Sequence, residues 1–285
     1  MKIHFIKLTT GPGELLIASE VKERRFSAPL HYHPELELTL ILEGSGQRFV
    51  GDSIQNFGPG DLVLIGENTP HFWRSDLNTT DNCNAHAIVV QFNKSFPGEN
   101  FFKNNGGGHI DRIINISTRG LYLSDPYAGE QIKEKLMQIL TQSAFEKTLT
   151  LLQILNILGK ADITYLASSG FRSNLNEIDM NRMNKVYSYV YNNINSSFDV
   201  STVAGLVNMS MSAFCHYFKK RTQKTFVQFI NETRINNAKR LLMETDKSVA
   251  EIAYESGYNS LSNFNKQFLF LEGISPKTFR QRFLY

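Results

Sequence analysis

The pattern of apolar and polar positions changes twice along the chain. Across 35–50 it alternates, with Leu36, Leu38, Leu40 and Leu42 on one parity and Glu35, Glu37, Thr39 and Ile41 on the other. That is the period-two signature of a strand with two unlike faces. Turn signals then recur at Glu43-Gly44-Ser45-Gly46, Gly51-Asp52, Gly58-Pro59-Gly60-Asp61 and Glu67-Asn68-Thr69-Pro70. Short strands broken at such intervals predict a sandwich or barrel over the first hundred residues or so, closed by a flexible loop at 104–108. Near residue 128 the period lengthens. Ile132, Leu136 and Ile139 fall at i, i+4 and i+7, and Leu151, Ile154, Leu155 and Leu158 at i, i+3, i+4 and i+7. Two amphipathic helices are expected, about 128–142 and 145–159, with stripes that suit either their own barrel or a second subunit. Ser168-Ser169-Gly170 and the Asn-rich residues after it read as a linker, and from about 179 the chain reads as helical to its end.

Within that helical segment the chain repeats itself. Ala204 is followed by Phe214, Phe218 and Lys224-Thr225-Phe226. Ala253 is followed by Phe264, Phe268 and Ile274-Ser275-Pro276, with both Phe positions recurring fifty residues on. Each copy reads as a short helix, a tight turn and a second helix. Cap signals agree. Ser248 with Glu251 forms a capping box, Gly257 suits a positive φ after a helix, and Ser210 and Ser260 stand where the second helices begin. Ser275-Pro276 places an N-cap before a first-turn proline. Between the copies, 226–242 predicts one helix of about seventeen residues, roughly 25 Å long.

Composition narrows the class. The chain has 285 residues, 41% hydrophobic and 20% charged, enough for two or three domains of an ordinary globular protein. No apolar run approaches the roughly eighteen residues of a membrane span, and the first residues lack the features of a signal peptide. Cys83 and Cys215 are too few for a disulfide framework or zinc cluster, so a reducing cytoplasm is expected. The net charge of +3 hides an asymmetry: 16 Lys and Arg face 20 Asp and Glu over 1–180, but 14 face 7 over 181–285. A basic C-terminal part suits a polyanionic partner.

The repeat says which one. If each Phe pair faces a core, the opposite stripe is exposed: Ser212, Cys215, His216 and Lys219 in the first copy, Ser262, Asn265, Lys266 and Leu269 in the second. Small, polar and basic side chains suit base edges in a major groove. Lys219, Lys220, Arg221 and Lys224 suit phosphates. Cys215 itself is expected as a small packed residue rather than a redox sensor.

The stretch from Ser210 through Phe214, His216 and Phe218 to Thr222 resembles the first recognition helix of the AraC/XylS family. Ser248-Val249-Ala250-Glu251-Ile252-Ala253 through Gly257-Tyr258, then Asn263-Phe264-Asn265-Lys266-Gln267-Phe268 and Gly273-Ile274-Ser275-Pro276, resemble its signature. Arg234, Ala238, Leu241 and Leu242 resemble its linker helix. The resemblance covers about 182–283. Two positions depart from it: Gln223 replaces a usual Gly, and Leu269 and Phe270 replace a usual basic pair, so the second helix is expected to hold phosphate less tightly.

Family members commonly carry a cupin-like sensor ahead of this unit, and residues here resemble one. His31 and His33 with Glu37 and Gly44 resemble the first cupin motif. Gly60-Asp61 through Gly66, then Thr69-Pro70-His71-Phe72-Trp73, resemble the second, departing at Gly66, Asn68 and Ser75. His31, His33 and Glu37 share one strand parity and are expected to face one cavity with His71. Those four suit Zn²⁺, Fe²⁺ or Ni²⁺, or else a metal-free polar pocket. No cofactor is expected, with a divalent transition metal as the alternative. Trp73 is the aromatic residue expected at a ligand mouth, while Phe49, Phe57 and Phe72 are expected in the core.

The expected fold is α+β and multidomain: a cupin-like barrel at 1–110 binding a small molecule, with a sugar as one candidate, a helical dimerisation region and linker at 111–178, and an all-α double helix-turn-helix at 179–285. The expected function is a sequence-specific, cytoplasmic, homodimeric DNA-binding transcription regulator, more often an activator by resemblance and working with RNA polymerase. It is expected not to be an enzyme. The rival readings are a metal-dependent cupin enzyme fused to a DNA-binding unit and a ligand-independent regulator.

Overall fold

The alternation across 35–50 arises because one strand separates two environments. A computed structural model describes residues 15–75, 85–171, 177–196, 198–222 and 224–283. The N-terminal sequence, Cys83, the Asn-rich residues 172–176 and Gln223 lie outside the described residues. The strands are β1 Leu16–Glu23, β2 Leu36–Glu43, β3 Gly46–Val50, β4 Ser53–Phe57, β5 Leu62–Ile65, β6 His71–Ser75 and β7 Ala85–Phe92. After them come α1 Phe101–Asn104, α2 Gly108–Ile116, β8 Leu121–Leu123, α3 Pro126–Ile139, α4 Ala144–Leu158 and β9 Ile163–Tyr165. They make a six-stranded sheet ordered β1-β7-β2-β5-β8-β9 and a three-stranded sheet ordered β4-β3-β6.

Leu36, Leu38 and Leu40 of β2 join Leu62, Leu64, Ile88, Val90 and Phe92 in one buried cluster with Ile132, Leu136, Ile139, Leu151, Ile154, Leu155 and Leu158. The two helical stripes are therefore covered by the chain's own sheet, each buried Leu or Ile contributing roughly 1.5–3 kcal/mol. Ile41, Val63, Ile65 and Ala87 face the other way, with Phe57 and Trp73. Both helices start a little before the periodicity indicates because their caps lie upstream. Asp125 accepts from the backbone N–H of Tyr127 and Ala128, and Ser143 forms a capping box with Glu146.

Three sequence expectations are corrected. The loop expected at 104–108 is a tight joint between α1 and α2, and the cap of α2 is Gly107. Ser168, expected in a linker, is fastened by its N–H and Oγ to the Asp52 carboxylate at 2.9 and 2.6 Å. His31 and His33 do not share the strand of Glu37, which begins at Leu36. Pro34 and the turn before Leu36 interrupt it.

The chain divides into two compact units, Met1–Ser53 with Phe57–Asn174, and Ile54–Asn56 with Leu175–Tyr285. The region expected to stand apart over 111–178 belongs to the first unit as far as Asn174, with β8 and β9 extending its sheet. The second unit is helical: α5 Glu177–Asn192, α6 Val200–Leu206, α7 Met211–Thr222, α8 Phe226–Glu244, α9 Val249–Glu255, α10 Leu261–Glu272 and α11 Pro276–Phe283. The pairs α6–α7 and α9–α10 are the two copies, and α8, of 19 residues, joins them over roughly 28 Å. Ser248 and Glu251 cap α9 reciprocally, Ser260 caps α10, and Gly257 takes φ 86°. No described helix is long and apolar enough to cross a membrane.

Candidate functional site

In the second unit the Phe pairs decide which faces of α7 and α10 are exposed. Phe214 and Phe218 of α7 and Phe264 and Phe268 of α10 are fully buried, because at i, i+4 they lie on one helical face. Tyr187, Phe226 and Phe229 pack around Phe218, and Tyr258 and Phe279 around the α10 pair. The opposite face of α7 exposes Ser212, Cys215, His216, Lys219 and Lys220, and that of α10 exposes Ser262, Asn265 and Lys266. Leu269 and Phe270 are 53% and 78% exposed where α7 carries its lysines. Cys215 is exposed rather than packed, since i+1 from Phe214 turns it off the core face.

Two expected phosphate contacts are otherwise engaged. Arg221 is half-buried, with its guanidinium paired to the buried Asp179 carboxylate and set beside the Tyr217 ring. Lys224 Nζ pairs with Glu232 Oε2 at 2.7 Å. Arg221 thereby ties α7 to α5 and Lys224 ties the turn after α7 to α8, while Lys219 and Lys220 are exposed near the end of α7.

In the first unit, odd-numbered residues of three adjacent strands face a cavity of about 280 Å³: Ser19, Val21 and Glu23 of β1, Glu37, Thr39 and Ile41 of β2, and Ala87, Val89 and Gln91 of β7. Phe26, Ser27, Ala28, His31 and Trp73 complete its wall. Beside it His31, His33, Glu37 and His71 present ligand atoms within 4.8 Å of one another. A single antiparallel bridge, His31 N–H to His71 O at 3.1 Å and the reverse at 3.0 Å, brings the two motifs together. His33 and His71 stand outside the cavity wall itself.

Each imidazole is oriented by its own backbone. Nδ1 of His31, His33 and His71 lies 2.9, 3.1 and 2.7 Å from the carbonyls of Pro29, Glu35 and Thr69. A carbonyl accepts only, so each Nδ1 carries the proton and each Nε2 is turned inward. Glu37 accepts from Thr39 Oγ1 at 2.7 Å and Gln91 Nε2 at 2.7 Å, with His33 Nε2 at 3.0 Å. His71 Nε2 is buried without a hydrogen-bond partner among the described residues, 3.7 Å from Glu37 Oε1. Burial pulls the His31 pKa down to about 4, helped by His71. Burial also works to raise the Glu37 carboxyl, but His71 and the bond from His33 outweigh it and hold the group well below its usual range. The same carboxylate overcomes burial at His33 and raises its pKa. Three inward Nε2 atoms, one of them orphaned, and a carboxylate form a donor set that fits a divalent transition metal.

Gly66 stands where the cupin motif usually has Pro. Its N–H donates to Ser117 O at 2.9 Å, and a Cβ there would come within 2.5 Å of Thr118 N. Neither the ring nor the missing N–H of proline fits that approach.

A helix-turn-helix domain family matches residues 203–282 and a cupin domain family matches 19–90. Over 96% of its length the chain is 23% identical to the melibiose operon regulatory protein of Escherichia coli K12, covering 92% of that protein. It is 22% identical to the transcriptional activator RhaS of Enterobacter sp. strain 638, over 94% of this chain and 93% of that one. The chain is a DNA-binding transcription regulator, and over nearly its whole length it is similar to regulators of the AraC type. Among solved structures, the DNA-binding domain of AdpA in complex with a target DNA is 30% identical over 34% of the regulator and 88% of that domain, with a TM-score of 0.33.

Of the residues expected around the regulator's cavity, His31, Glu37 and Trp73 line it. Thr39 and Gln91 were missed. Thr39 shares the parity of Glu37 and was legible, whereas Gln91 pairs with Glu37 only through the β2–β7 register.

Proposed function

We propose that the regulator's N-terminal cavity senses a small hydroxyl-bearing molecule, of the sugar class, and that occupancy changes how the C-terminal unit engages DNA. The observation behind this reading is the cavity of about 280 Å³, with Trp73 and Phe26 on its wall and Glu37, Thr39, Gln91 and Ser19 among its polar groups. A mostly apolar hollow with a few convergent polar groups is the usual form of a small-molecule site, and aromatic faces suit sugar rings. The relative named for the melibiose operon points the same way. Ligand acts by favouring one arrangement of the protein over another. The regulator works in the cytoplasm as a homodimer, activates with RNA polymerase and catalyses no reaction.

The donor set of His31, His33, Glu37 and His71 favours a second occupant, a divalent transition metal held by those four side chains. Bound there, it would supply a positive centre that a ligand oxygen can meet. The test is calorimetry of the full chain against free sugars, sugar acids and amines, repeated with DNA affinity as the readout, and with metal content measured on protein prepared without chelator or nickel. Glu37→Ala should abolish the ligand response and leave basal DNA affinity within about twofold, since it lies outside the reading surface. Binding of no small molecule, with DNA affinity fixed throughout, favours a ligand-independent regulator. Full metal occupancy with turnover of a bound compound favours the enzyme.

A further inference from the structure

Arg234 lies on the helix between the two helix-turn-helix copies and is engaged by both. Its Nε donates to Ile194 O at 3.1 Å and its Nη2 to Ser196 O at 2.6 Å. Both carbonyls belong to the connection between α5 and α6, which leads into the first copy. The guanidinium carbon stands 5.3 Å from the Phe198 ring centroid and 5.5 Å from that of Tyr258. Tyr258 follows the turn glycine of the second copy, and its hydroxyl donates to Asn231 Oδ1 on α8 at 3.2 Å.

The turn itself is packed onto this junction. A Cβ on Gly257 would come within 2.4 Å of Ile194 O and 2.8 Å of Arg234 Nε, and Gly257 has φ 86°. The turn of the second copy thus rests on the entrance to the first, with the guanidinium beside it. α8 is packed into both copies, by Phe226 and Phe229 against Phe218 of the first and by Ile235, Ala238, Leu241 and Leu242 in the core of the second. The junction at Arg234 and Gly257 adds a direct contact between the copies to that packing.

We propose that Arg234 is a positioning residue: set beside both Phe198 and Tyr258 and bonded to the first copy's entrance, it sets the separation and rotation of the two recognition helices. The regulator then reads two DNA segments at one fixed spacing. The chemistry requires a guanidinium, which offers two stacking faces and donors along its edge. A lysine ammonium is a point charge without a plane and cannot do both. This rests on the DNA-reading surface of α7 and α10.

The test uses the full chain and a duplex selected by it from a random DNA pool. The two protected segments are mapped, and one base pair is inserted between them. That step moves the second segment by about 3.4 Å and turns it by roughly 35°. The parent should lose on the order of tenfold or more in affinity on insertion. In Arg234→Gln and Phe198→Leu the selected duplex should bind more weakly and the insertion penalty should shrink to about threefold or less. Arg234→Lys should behave like the Gln variant rather than the parent. A role in stability alone lowers affinity for both duplexes by one factor and leaves their ratio unchanged. Thermal unfolding reports whether each variant is folded. If Arg234→Gln is not, Phe198→Leu, which keeps the guanidinium and its hydrogen bonds, gives the same ratio. An unchanged ratio in a folded variant overturns the proposal, as does a parent indifferent to the inserted base pair. Failure of the parent to select any duplex would remove the reading surface itself instead.

Discussion

Lys219 and Lys224 stand five residues apart near the end of the first recognition helix, yet they should answer differently to salt. Lys219 is exposed, whereas Lys224 is 26% exposed and held 2.7 Å from the Glu232 carboxylate. Each phosphate neutralised by a cation releases counterions and steepens the log–log dependence of affinity on salt by about 0.9. Five to eight contacts from this unit give a slope of roughly −5 to −7. Lys219→Gln should flatten it by about one unit, so the parent's advantage over the variant shrinks about 3.5-fold between 50 and 200 mM salt. Lys224→Gln should change the slope by less than about 0.3, because its charge is already answered by Glu232. The assay is fluorescence anisotropy of the full chain on a selected duplex and on a scrambled one, across a salt series. Equal flattening by both substitutions would show that DNA breaks the Lys224–Glu232 pair, and the distinction drawn here would be wrong.

His216→Ala should cost about 1–3 kcal/mol on the selected site and relax base preference at one or two positions, while Asn265→Ala should cost less and act on the other segment. A silent His216→Ala beside a damaging Asn265→Ala in the same titrations would reverse that order. In the sensor unit, the depressed Glu37 pKa gives stability that is present above about 4.5 and lost as pH falls through the folded value. The raised His33 pKa gives stability that is full below about 6.5 and lost as pH rises through its folded value. The lowered His31 pKa adds stability that is full above about 6.5 and lost as pH falls toward about 4. Thermal midpoints of chelator-treated protein should therefore peak near the upper limit, and Glu37→Gln should flatten the alkaline limb; an unchanged profile refutes the pairing. Phe264→Ala removes a fully buried ring 5.3 Å from Tyr258 and 5.6 Å from Phe268, and should destabilise the C-terminal unit by about 3–5 kcal/mol in denaturant unfolding.

What the sequence determined by itself is what short-range geometry controls. The 3.6-residue period of Ile132, Leu136 and Ile139 placed a helix that runs Pro126–Ile139, and Ser248 with Glu251 placed the start of α9 to the residue. A cap or a helical face involves atoms within four residues, so residue order alone specifies it. The exposed stripe of α7 follows in the same way, because burying Phe214 and Phe218 leaves His216 and Lys219 on the far side. The family signature was legible for the same reason, being a local pattern written twice.

Other features depend on which distant element arrives. Asp179 lies 42 residues before Arg221 in sequence, and their pairing withdraws a cation that its position had assigned to phosphate. The α3 and α4 stripes suited a partner subunit as well as the chain's own sheet, and the packing of Leu36, Leu38 and Leu40 against them settled that. His31 and His33 come together with His71 through one bridge rather than through the parity of a shared strand. Gln91 reaches Glu37 only because β7 lies beside β2 in the register that sets those two residues opposite each other. An isolated helix or strand carries its faces in its sequence, but the partner for each face is chosen by long-range packing, whose closure cost and alternatives no local pattern records.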